Sequence, residues 1–436
     1  MTPSGAGPYN RRTIMTKPRR QELRRPPEFK LGYVASHAFR LTFEINEIIE
    51  ILRRRPDTRI YSFYGPKGAI QQERVREVPA EIVTWSPRGV LSGLAYFAAR
   101  SPRRLCAAAA ALAWASKSNP VYWFKNAIVF FVSLPMLADA QRHGVTHLHA
   151  DFGSSPATIA WIGSRLLGTG FSIRYHSFDI HLNTLAWKDP LRRRKLRDAD
   201  LVAVVHRDGI AHLHWRAPEV ESAKFKMIRI SVAFHPLPKQ KPLPEPPLVL
   251  AAGNFVPAKG FDVLARAAAV LAERKVAFRL RILGDGPERD RIRAFARANG
   301  LADKIEMPGF YRHGDFPRHL AEAAVFVVPA RIMPTGVREG LPTVIPEAWL
   351  SLTPVIAAPV GGIPEVVIDG ETGLLFPAED EKGLADAIAR LLASAELREK
   401  LARNGYDRAI AEFSPERNVG ELLREIESHT RPRLRP

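Results

Sequence analysis

The strongest constraint on the fold is a repeated alternation of short apolar runs with amphipathic helical patterns. In the first half of the chain, strand-like runs at 146–152 and 171–178 flank a helical pattern at 155–167. The same alternation restarts at residue 248 and continues through a second half of similar size. A parallel strand pair needs a long crossover connection, which a helix supplies, so the pattern is typical of βαβ units. It predicts an α/β chain with two doubly wound parallel-sheet domains.

A proline-rich segment separates the two halves. Residues 236–247 contain six prolines, which continue neither a helix nor a central strand, so we expect a semi-rigid linker. Open parallel sheets bind ligands at the carboxyl ends of their strands, which places the expected site in a cleft between the halves. The predicted organisation is a basic disordered tail (1–29), a Rossmann-like domain (30–235), the linker, a second Rossmann-like domain (248–412), and a C-terminal helix that returns to the first domain, with a tail (413–436).

The cysteine content and the start of the chain exclude several classes of protein. The 436 residues include one cysteine, Cys106, so an intramolecular disulfide is impossible and a zinc ribbon or iron–sulfur site has too few ligands. Residues 1–30 are rich in arginine and proline and contain no apolar stretch of the kind found in secretory signals. A cytoplasmic protein is therefore expected.

Positive charge is concentrated in the first half of the chain. Residues 1–240 carry 37 Lys+Arg against 18 Asp+Glu, whereas residues 241–436 carry 27 of each. Dense basic runs occur at 11–25, 53–59 and 192–197. Such a surface attracts anionic lipids, phosphorylated substrates or nucleic acids. Because no nucleic-acid recognition motif accompanies the charge, we expect no nucleic-acid partner.

Residues 86–138 form an apolar region with basic and aromatic residues. Its two uncharged runs, 105–116 and 127–138, are shorter than the ~18 residues that a membrane-spanning helix needs. One interpretation is a helical insertion that packs on the N-terminal sheet. The other is a surface that faces a membrane or a lipid acceptor, since basic and aromatic residues favour the lipid interface.

The stretch 331–350 carries the most informative chemistry. It follows an apolar strand, passes through a Gly/Pro loop and enters a helix near Thr343, so its backbone amides form an anion site. Glu339 lies on the loop and Glu347 in the first turns of the helix, eight positions apart. Two such carboxylates suit a ligand with phosphates in its middle and hydroxyls at both ends. Alternatively, Glu347 only complements the helix dipole and Glu339 is a solvated loop charge.

This stretch resembles a known family. Glu339, Gly340, Leu341 and Pro342, with Glu347, resemble the E-x7-E signature of retaining glycosyltransferases of family 4, which have the GT-B fold. Further resemblances in the second half occur, in order, at 253–255, 259–262, 284–287, 361–365 and 370–373. In the first half, 147–152 and 171–176 resemble the exopolysaccharide, colanic-acid-type branch.

The resemblance implies a role for each matching residue. As catalytic groups, Glu339 would accept hydrogen bonds from hydroxyls of the donor sugar and His176 would lie beside the anomeric centre. Glu347 would accept hydrogen bonds from the ribose, and Lys259 would add positive charge at the leaving diphosphate. The remaining implied residues are, for the nucleotide and its phosphates, Gly253, Asn254, Gly340 and the amides of Leu341 and Thr343, and, for the donor and acceptor cleft, Asp179, Gly284 and Arg338.

The implied activity is transfer of a hexose from a nucleotide-diphosphate sugar to a hydroxyl of a lipid-linked or oligosaccharide acceptor, in cell-surface polysaccharide synthesis. Fixed amides and a lysine stabilise the departing diphosphate, so no metal or other cofactor is expected. The expected location is peripheral, on the inner face of the cell membrane, through the basic half.

Three positions depart from the family pattern. Asn254 stands where the family has arginine, residues 231–233 read Ser-Val-Ala instead of Gly-Val-Asp, and Asp151 replaces the second histidine of His-Ala-His. These departures motivate an alternative function, a non-catalytic nucleotide-sugar or carbohydrate-binding partner of a polysaccharide synthase complex.

Overall fold

A computed structural model describes residues 29–36, 42–64, 81–182, 188–233 and 243–430. The predicted tail, apart from Phe29, and linker residues 236–242 lie outside these ranges. The described residues form two α/β domains, each built on one parallel sheet. The predicted pair of doubly wound parallel sheets is confirmed.

The N-terminal domain has a seven-stranded sheet in the order β3-β2-β1-β4-β5-β6-β7. All its pairs are parallel, and Tyr33 of an inner strand, β1, lies opposite Ile60 on one side and His149 on the other. The strands are β1 (Leu31–Ala35), β2 (Arg59–Ser62), β3 (Ile82–Val83), β4 (His147–Asp151), β5 (Gly170–Tyr175), β6 (Leu201–Val204) and β7 (Phe225–Met227). The helices are α1 (Thr42–Arg54), α2 (Pro87–Arg100), α3 (Pro102–Ser116), α4 (Pro120–Arg142), α5 (Ser155–Leu166), α6 (Leu191–Asp198) and α7 (Arg207–Arg216).

The C-terminal domain has a six-stranded parallel sheet in the order β10-β9-β8-β11-β12-β13. Strands β8, β11 and β12 of this sheet are apolar and fully buried, as is typical of parallel strands whose two faces are covered by helices. The strands are β8 (Leu248–Ala252), β9 (Arg279–Leu283), β10 (Ile305–Gly309), β11 (Val325–Val328), β12 (Val355–Ala357) and β13 (Leu374–Leu375). The helices are α8 (Phe261–Glu273), α9 (Arg289–Ala298), α10 (Phe316–Ala321), α11 (Val344–Leu350), α12 (Glu381–Ala393), α13 (Ala395–Phe413) and α14 (Pro415–His429).

The last helix, α14, packs on the N-terminal domain. Val419 and Leu423 join a buried cluster with apolar residues of β1 and α1. Asn418 donates hydrogen bonds from Nδ2 to the carbonyl oxygens of Ile230 (3.0 Å) and Glu412 (2.9 Å). The chain therefore crosses between the domains a second time, so the two domains are connected at two places.

The apolar region of residues 86–138 forms helices α2, α3 and most of α4. Asn119 caps α4 by accepting hydrogen bonds from the amides of Val121 (3.2 Å) and Tyr122 (3.4 Å). α2 crosses α4 closely, because a Cβ on Gly93 would lie 2.8 Å from the Leu134 carbonyl carbon. In the described part of the chain, only α4 is long and apolar enough to cross a membrane by length and composition. Half of its most apolar window is buried inside the protein.

Candidate active site

On the C-terminal side of the cleft, an ion pair joins two loops. Lys259 ends a short 3₁₀ turn after β8, and Glu339 lies on the loop between β11 and α11. The Lys259 Nζ is 3.1 Å from the Glu339 Oε1, and both side chains are largely buried. Gly253 lies against the lysine stem, since a Cβ there would be 3.3 Å from the Lys259 Cε. Three of the predicted residues are thus in one place.

Gly284, at the end of β9, lies on the same C-terminal side of the cleft, which we call the C-terminal wall. Its φ of +119° is in the region that favours glycine, and a Cβ would lie 2.0 Å from the Gly253 carbonyl oxygen. The two loops therefore touch through backbone atoms alone. Asn254, next to Gly253, is exposed, so this side chain is open to solvent where the family pattern has arginine.

Leu341 and Thr343 lie just before α11, which begins at Val344 and has seven residues. Among the described residues, neither backbone amide donates a hydrogen bond to a protein acceptor. Neither amide is used by the fold of the described residues, and phosphate binding by them stays a prediction.

Glu347 lies inside α11, apart from the Lys259–Glu339 pair. It is partly buried, and no residue in the described ranges gives its carboxylate a hydrogen bond or ion pair. Burial raises the pKa of Glu347 to about 8. Burial, followed by the charge of Glu347, also raises the pKa of Tyr311, which places that phenol near the carboxyl group. A carboxyl group without a protein partner is a natural acceptor for hydroxyls of a ligand.

On the N-terminal side, His176 follows β5 and pairs with Asp151 at the end of β4. The His176 Nε2 is 2.6 Å from the Asp151 Oδ1, and both residues are buried. The rings of Phe43 and Phe152 lie 4.7 and 4.6 Å from the His176 ring. Burial alone raises the pKa of Asp151, but His176, together with Arg174 and His149, outweighs burial and the net shift is downward. An ionised Asp151 therefore holds the imidazole in one orientation.

Asp179, the second predicted residue on this side, binds backbone. Its Oδ2 accepts a hydrogen bond from the Gly153 amide at 3.1 Å, and Arg192 donates to its carbonyl oxygen. Burial raises the pKa of Asp179. Its contacts therefore join the loop after β4 to the π-helical turn Phe178–Leu182 and brace the segment that carries His176.

The C-terminal and N-terminal sides of the cleft, its two walls, meet at Gly340. A Cβ on Gly340 would lie 1.6 Å from the Ser177 Oγ and 2.5 Å from the His206 Nε2, so only glycine permits this approach. Beside it, the Arg338 Nη2 lies 3.1 and 3.0 Å from the two carboxylate oxygens of Asp208. Ser177 follows His176 and Gly340 follows Glu339, so this contact joins the two loops that carry the candidate catalytic residues.

His181, His206 and Asp208 bring ligand atoms within 4.8 Å of one another, a spacing that a metal ion tolerates. His206 does not suit that role. Its Nδ1 accepts a hydrogen bond from the Gly209 amide at 2.8 Å and caps α7, which leaves Nε2 protonated and 3.1 Å from the Ser177 Oγ. Because neither nitrogen retains a lone pair for a cation, the cluster is better explained as a hydrogen-bonded support of the interdomain contact.

Two residues of this site were not assigned roles from the sequence. In the sequence Asp151 is only a departure from His-Ala-His, yet in the structure it is the partner of His176. Pairing of β4 with β5 places Asp151 opposite Arg174, two residues before His176, so strand register was the available signal. Lys195, within the basic run 192–197, is buried and donates to the carbonyl oxygens of Gly153 and Ser154. No periodicity in that charged run indicates it.

Two parallel-sheet domains that face each other across a cleft define the GT-B class, and this chain has a GT-B fold. Residues 236–408, about two fifths of the chain, match the family described as glycosyl transferases group 1. Among solved structures, Anabaena Alr3699/HepE in complex with UDP-glucose has a TM-score of 0.69 at 17% identity, covering 92% of this chain and 100% of that one.

Two curated relatives match different shares of the chain. The chain is 29% identical over 311 residues to the alpha-D-kanosaminyltransferase of Streptomyces kanamyceticus, covering 67% of this chain and 79% of that protein. It is 35% identical over 156 residues to the putative colanic acid biosynthesis glycosyltransferase WcaL of Escherichia coli strain K12, covering 36% of this chain and 38% of that protein. The second similarity therefore spans well under half of either chain.

Proposed function

We propose that this protein is a retaining glycosyltransferase that moves a hexose from a nucleotide-diphosphate sugar to a hydroxyl of a lipid-linked or oligosaccharide acceptor. The observation that carries the proposal is the arrangement at the cleft. Lys259 pairs with Glu339 on one wall, His176 pairs with Asp151 on the other, and Gly340 meets Ser177 between them. A donor held by its diphosphate on the first wall presents its sugar to the second.

The chemistry follows from where charge develops. When the bond between the anomeric carbon and the diphosphate breaks, negative charge grows on the departing phosphate, close to Lys259 and the free amides of Leu341 and Thr343. Fixed donors of this kind stabilise a developing charge without reorganising. In the unliganded protein Lys259 is engaged by Glu339, so donor binding would exchange this ion pair for contacts to phosphate and sugar hydroxyls. We propose that no metal ion takes part.

Relatives support the donor class. Anabaena HepE has been solved with UDP-glucose, and WcaL is named for colanic acid biosynthesis. By analogy, we propose a nucleotide-diphosphate sugar as the donor and cell-surface polysaccharide synthesis as the pathway. The excess positive charge of residues 1–240 favours a cytoplasmic protein held at the inner face of the membrane.

Substitution of one residue on each wall tests the proposal. Glu339→Gln and His176→Ala are each expected to lower sugar transfer by at least about 100-fold, because each removes a group that contacts the reacting sugar. Transfer would be measured with radiolabelled nucleotide sugars and a membrane extract as acceptor, and folding by circular dichroism and thermal unfolding. Glu371→Gln, at an exposed carboxylate in the same domain, is the control. Full transfer by both folded variants would rule out these assignments.

The retaining outcome needs its own readout. NMR of the product should show the same anomeric configuration as in the donor. An inverted product would leave a glycosyltransferase with a different mechanism, and the substitution results would still stand.

A non-catalytic binding partner is the second candidate, because the exposed Asn254 gives the phosphate loop no cationic side chain where the family pattern has arginine. Calorimetry with nucleotide sugars, combined with assays of transfer and hydrolysis, separates the two. Binding without turnover in any assay would favour the partner.

A further inference from the structure

Helices α2–α4 contain an unusual charge pattern. Between Glu81 and Asp139 the chain has no acidic residue and six basic ones, which are Arg88, Arg100, Arg103, Arg104, Lys117 and Lys125. A surface built from these helices therefore carries positive charge without local compensation, which favours contact with a polyanionic partner.

One face of α4 is apolar and exposed. Val121, Phe124, Ile128 and Phe131 recur at intervals of three, four and three residues, so they form one stripe along the helix. Their exposed fractions are 72%, 65%, 45% and 47%. Other positions of the same helix, such as Val129 and Met136, are buried. The domain core does not use these four side chains. An exposed apolar stripe of this kind indicates a contact with something outside the chain.

Aromatic and basic side chains flank the stripe at its N-terminal end. Trp114, at the end of α3, and Trp123 are 66% and 46% exposed. The Lys117 Nζ lies 3.2 Å from the centre of the Trp114 ring, and the Lys125 Nζ lies 5.5 Å from that of Tyr122. Tryptophan beside lysine suits the boundary between acyl chains and anionic headgroups, where one end of each side chain is apolar and the other is polar.

The stripe begins near the cleft. Asn126 of α4 donates a hydrogen bond to Asp189 at 3.3 Å, and Asp189 lies 3.7 Å from the Lys195 Nζ. Lys195 in turn donates to the Gly153 carbonyl oxygen, on the loop that Asp179 also holds. The N-terminal part of α4 is therefore at the same edge of the sheet as His176.

We infer that the α3–α4 face, defined by Trp114, Lys117, Val121, Trp123, Phe124, Lys125, Ile128 and Phe131, docks on an anionic lipid bilayer. The apolar stripe enters the interface and the lysines contact headgroup phosphates. Docking of this face places the mouth of the cleft at the membrane surface. That this position delivers a lipid-linked acceptor rests on the proposed function, whereas the docking itself does not.

Vesicle binding by the full-length protein, without nucleotide sugar, tests the inference. Flotation would compare vesicles of phosphatidylcholine alone with vesicles that contain phosphatidylglycerol, at low and high salt. We expect at least about 30-fold tighter binding to the anionic vesicles, weakening as salt rises. Equal binding to both compositions, or retention on vesicles at high salt as for an inserted helix, would overturn electrostatic docking.

Variants locate the surface. Val121→Ser/Phe124→Ser/Ile128→Ser should lower vesicle affinity at least about tenfold by removing apolar contact. Lys117→Gln/Lys125→Gln should lower it roughly 30-fold on anionic vesicles only. Both changes lie at exposed positions, and circular dichroism and the unfolding temperature check the fold. Trp215→Ser is the matched control, because Trp215 is 69% exposed on α7.

The variants also separate the lipid from a second copy of the chain. Unchanged vesicle binding in both variant sets would overturn the assignment of this face. So would light scattering that shows a wild-type dimer and a monomeric serine variant, since the stripe would then be a contact between copies. Because these measurements need no sugar transfer, they stand or fall separately from the activity tests.

Discussion

At the scale of single residues, the two glutamates of the E-x7-E pattern occupy different electrostatic states. Glu339 has a cationic partner at 3.1 Å, whereas the described residues provide no partner for Glu347. The same spacing in sequence thus yields one paired carboxylate and one whose pKa burial raises to about 8. A carboxyl group held in this way costs stability when it ionises, and that cost is expected where a ligand is to supply the missing hydrogen bonds.

Glu347 therefore predicts a pH-dependent stability. Its pKa is about 8 in the folded chain and near 4.5 when unfolded, so between these values the folded state binds one more proton and stability falls as pH rises. Glu347→Gln removes this titration. The stability of the variant relative to wild type should increase by about 2–4 kcal/mol from pH 5 to pH 8. Urea unfolding at both pH values measures it.

The comparison with Glu371→Gln, at an exposed carboxylate, corrects for the other titrating groups. Nucleotide-sugar binding by Glu347→Gln should meanwhile weaken at least about tenfold, because an amide replaces the proposed acceptor for ribose hydroxyls. An advantage of Glu347→Gln that is equal at pH 5 and pH 8 would contradict a raised pKa.

At the scale of elements, α6 shows how a basic run divides between the interior and the solvent. The sequence predicts a surface that attracts polyanions at 192–197, and this is wrong for Arg192 and Lys195, which are buried. The Lys195 Nζ donates to the Gly153 and Ser154 carbonyl oxygens at 2.9 and 3.1 Å and to the Thr158 Oγ1 at 3.1 Å. Its ammonium group thus holds the loop after β4 to the start of α5.

Lys195→Met is expected to lower the free energy of unfolding by about 3 kcal/mol, because it removes the donor to three acceptors and the cation 3.7 Å from the buried Asp189. Arg193→Met, two positions away on the exposed side of the same helix, should change it by no more than about 0.5 kcal/mol. Urea unfolding of both variants makes the comparison, since they remove similar cationic side chains from one helix. Equal effects would show that burial of Lys195 does not support this loop.

The sequence predicts the bounds of helices and strands well but does not predict which polar residues are buried. Periodicity reports which residues are apolar, so the strand predicted at 146–152 (β4) and the helix predicted at 155–167 (α5) are found within one residue of their ends. It is silent on polar residues that are buried because another segment supplies their partners. Asp151, Lys195 and His206 are of this kind. The two-residue strand β3 was missed because two residues carry no period.

The same limit applies to the candidate site. Motif order brought Gly253, Lys259, Glu339 and Gly340 to one region of the cleft, because the family pattern encodes loops at the carboxyl ends of neighbouring strands. That Lys259 pairs with Glu339, and that Glu347 has no such partner, depends on side-chain directions, which spacing alone does not contain.

At the scale of the whole molecule, polar contacts between the domains surround the cleft. Arg229 of the N-terminal domain lies 2.9 Å from Glu365 and 3.3 Å from Glu412 through its guanidinium nitrogens. The Asp208 amide donates to the Glu365 Oε1 at 3.1 Å, and Arg338 reaches Asp208 from the other domain. These charged contacts hold the two domains close enough together for Gly340 to touch Ser177.

Substitution of Gly340 therefore tests how closely the two domains must approach each other for sugar transfer. Gly340→Ala places a methyl group where the Ser177 Oγ (1.6 Å) and the His206 Nε2 (2.5 Å) now lie, and because Gly340 does not have a positive φ, the effect is steric and interdomain. The walls must separate by about an ångström, which should lower sugar transfer by roughly 100-fold. Stability should fall by about 1–3 kcal/mol, as in other overpacked contacts.

A second substitution shows whether the contact itself is responsible. Ser177→Gly removes the nearer obstacle but leaves His206, so Gly340→Ala/Ser177→Gly should recover part of the transfer rate and part of the stability. Gly314→Ala is the matched control, because a Cβ at Gly314 meets no atom within 4 Å. Transfer assays and urea unfolding of the four variants decide the matter. If Gly340→Ala transfers sugar at the wild-type rate, the domains do not need to meet at this point, and the facing of His176 and Glu339 would have to come from a more open arrangement.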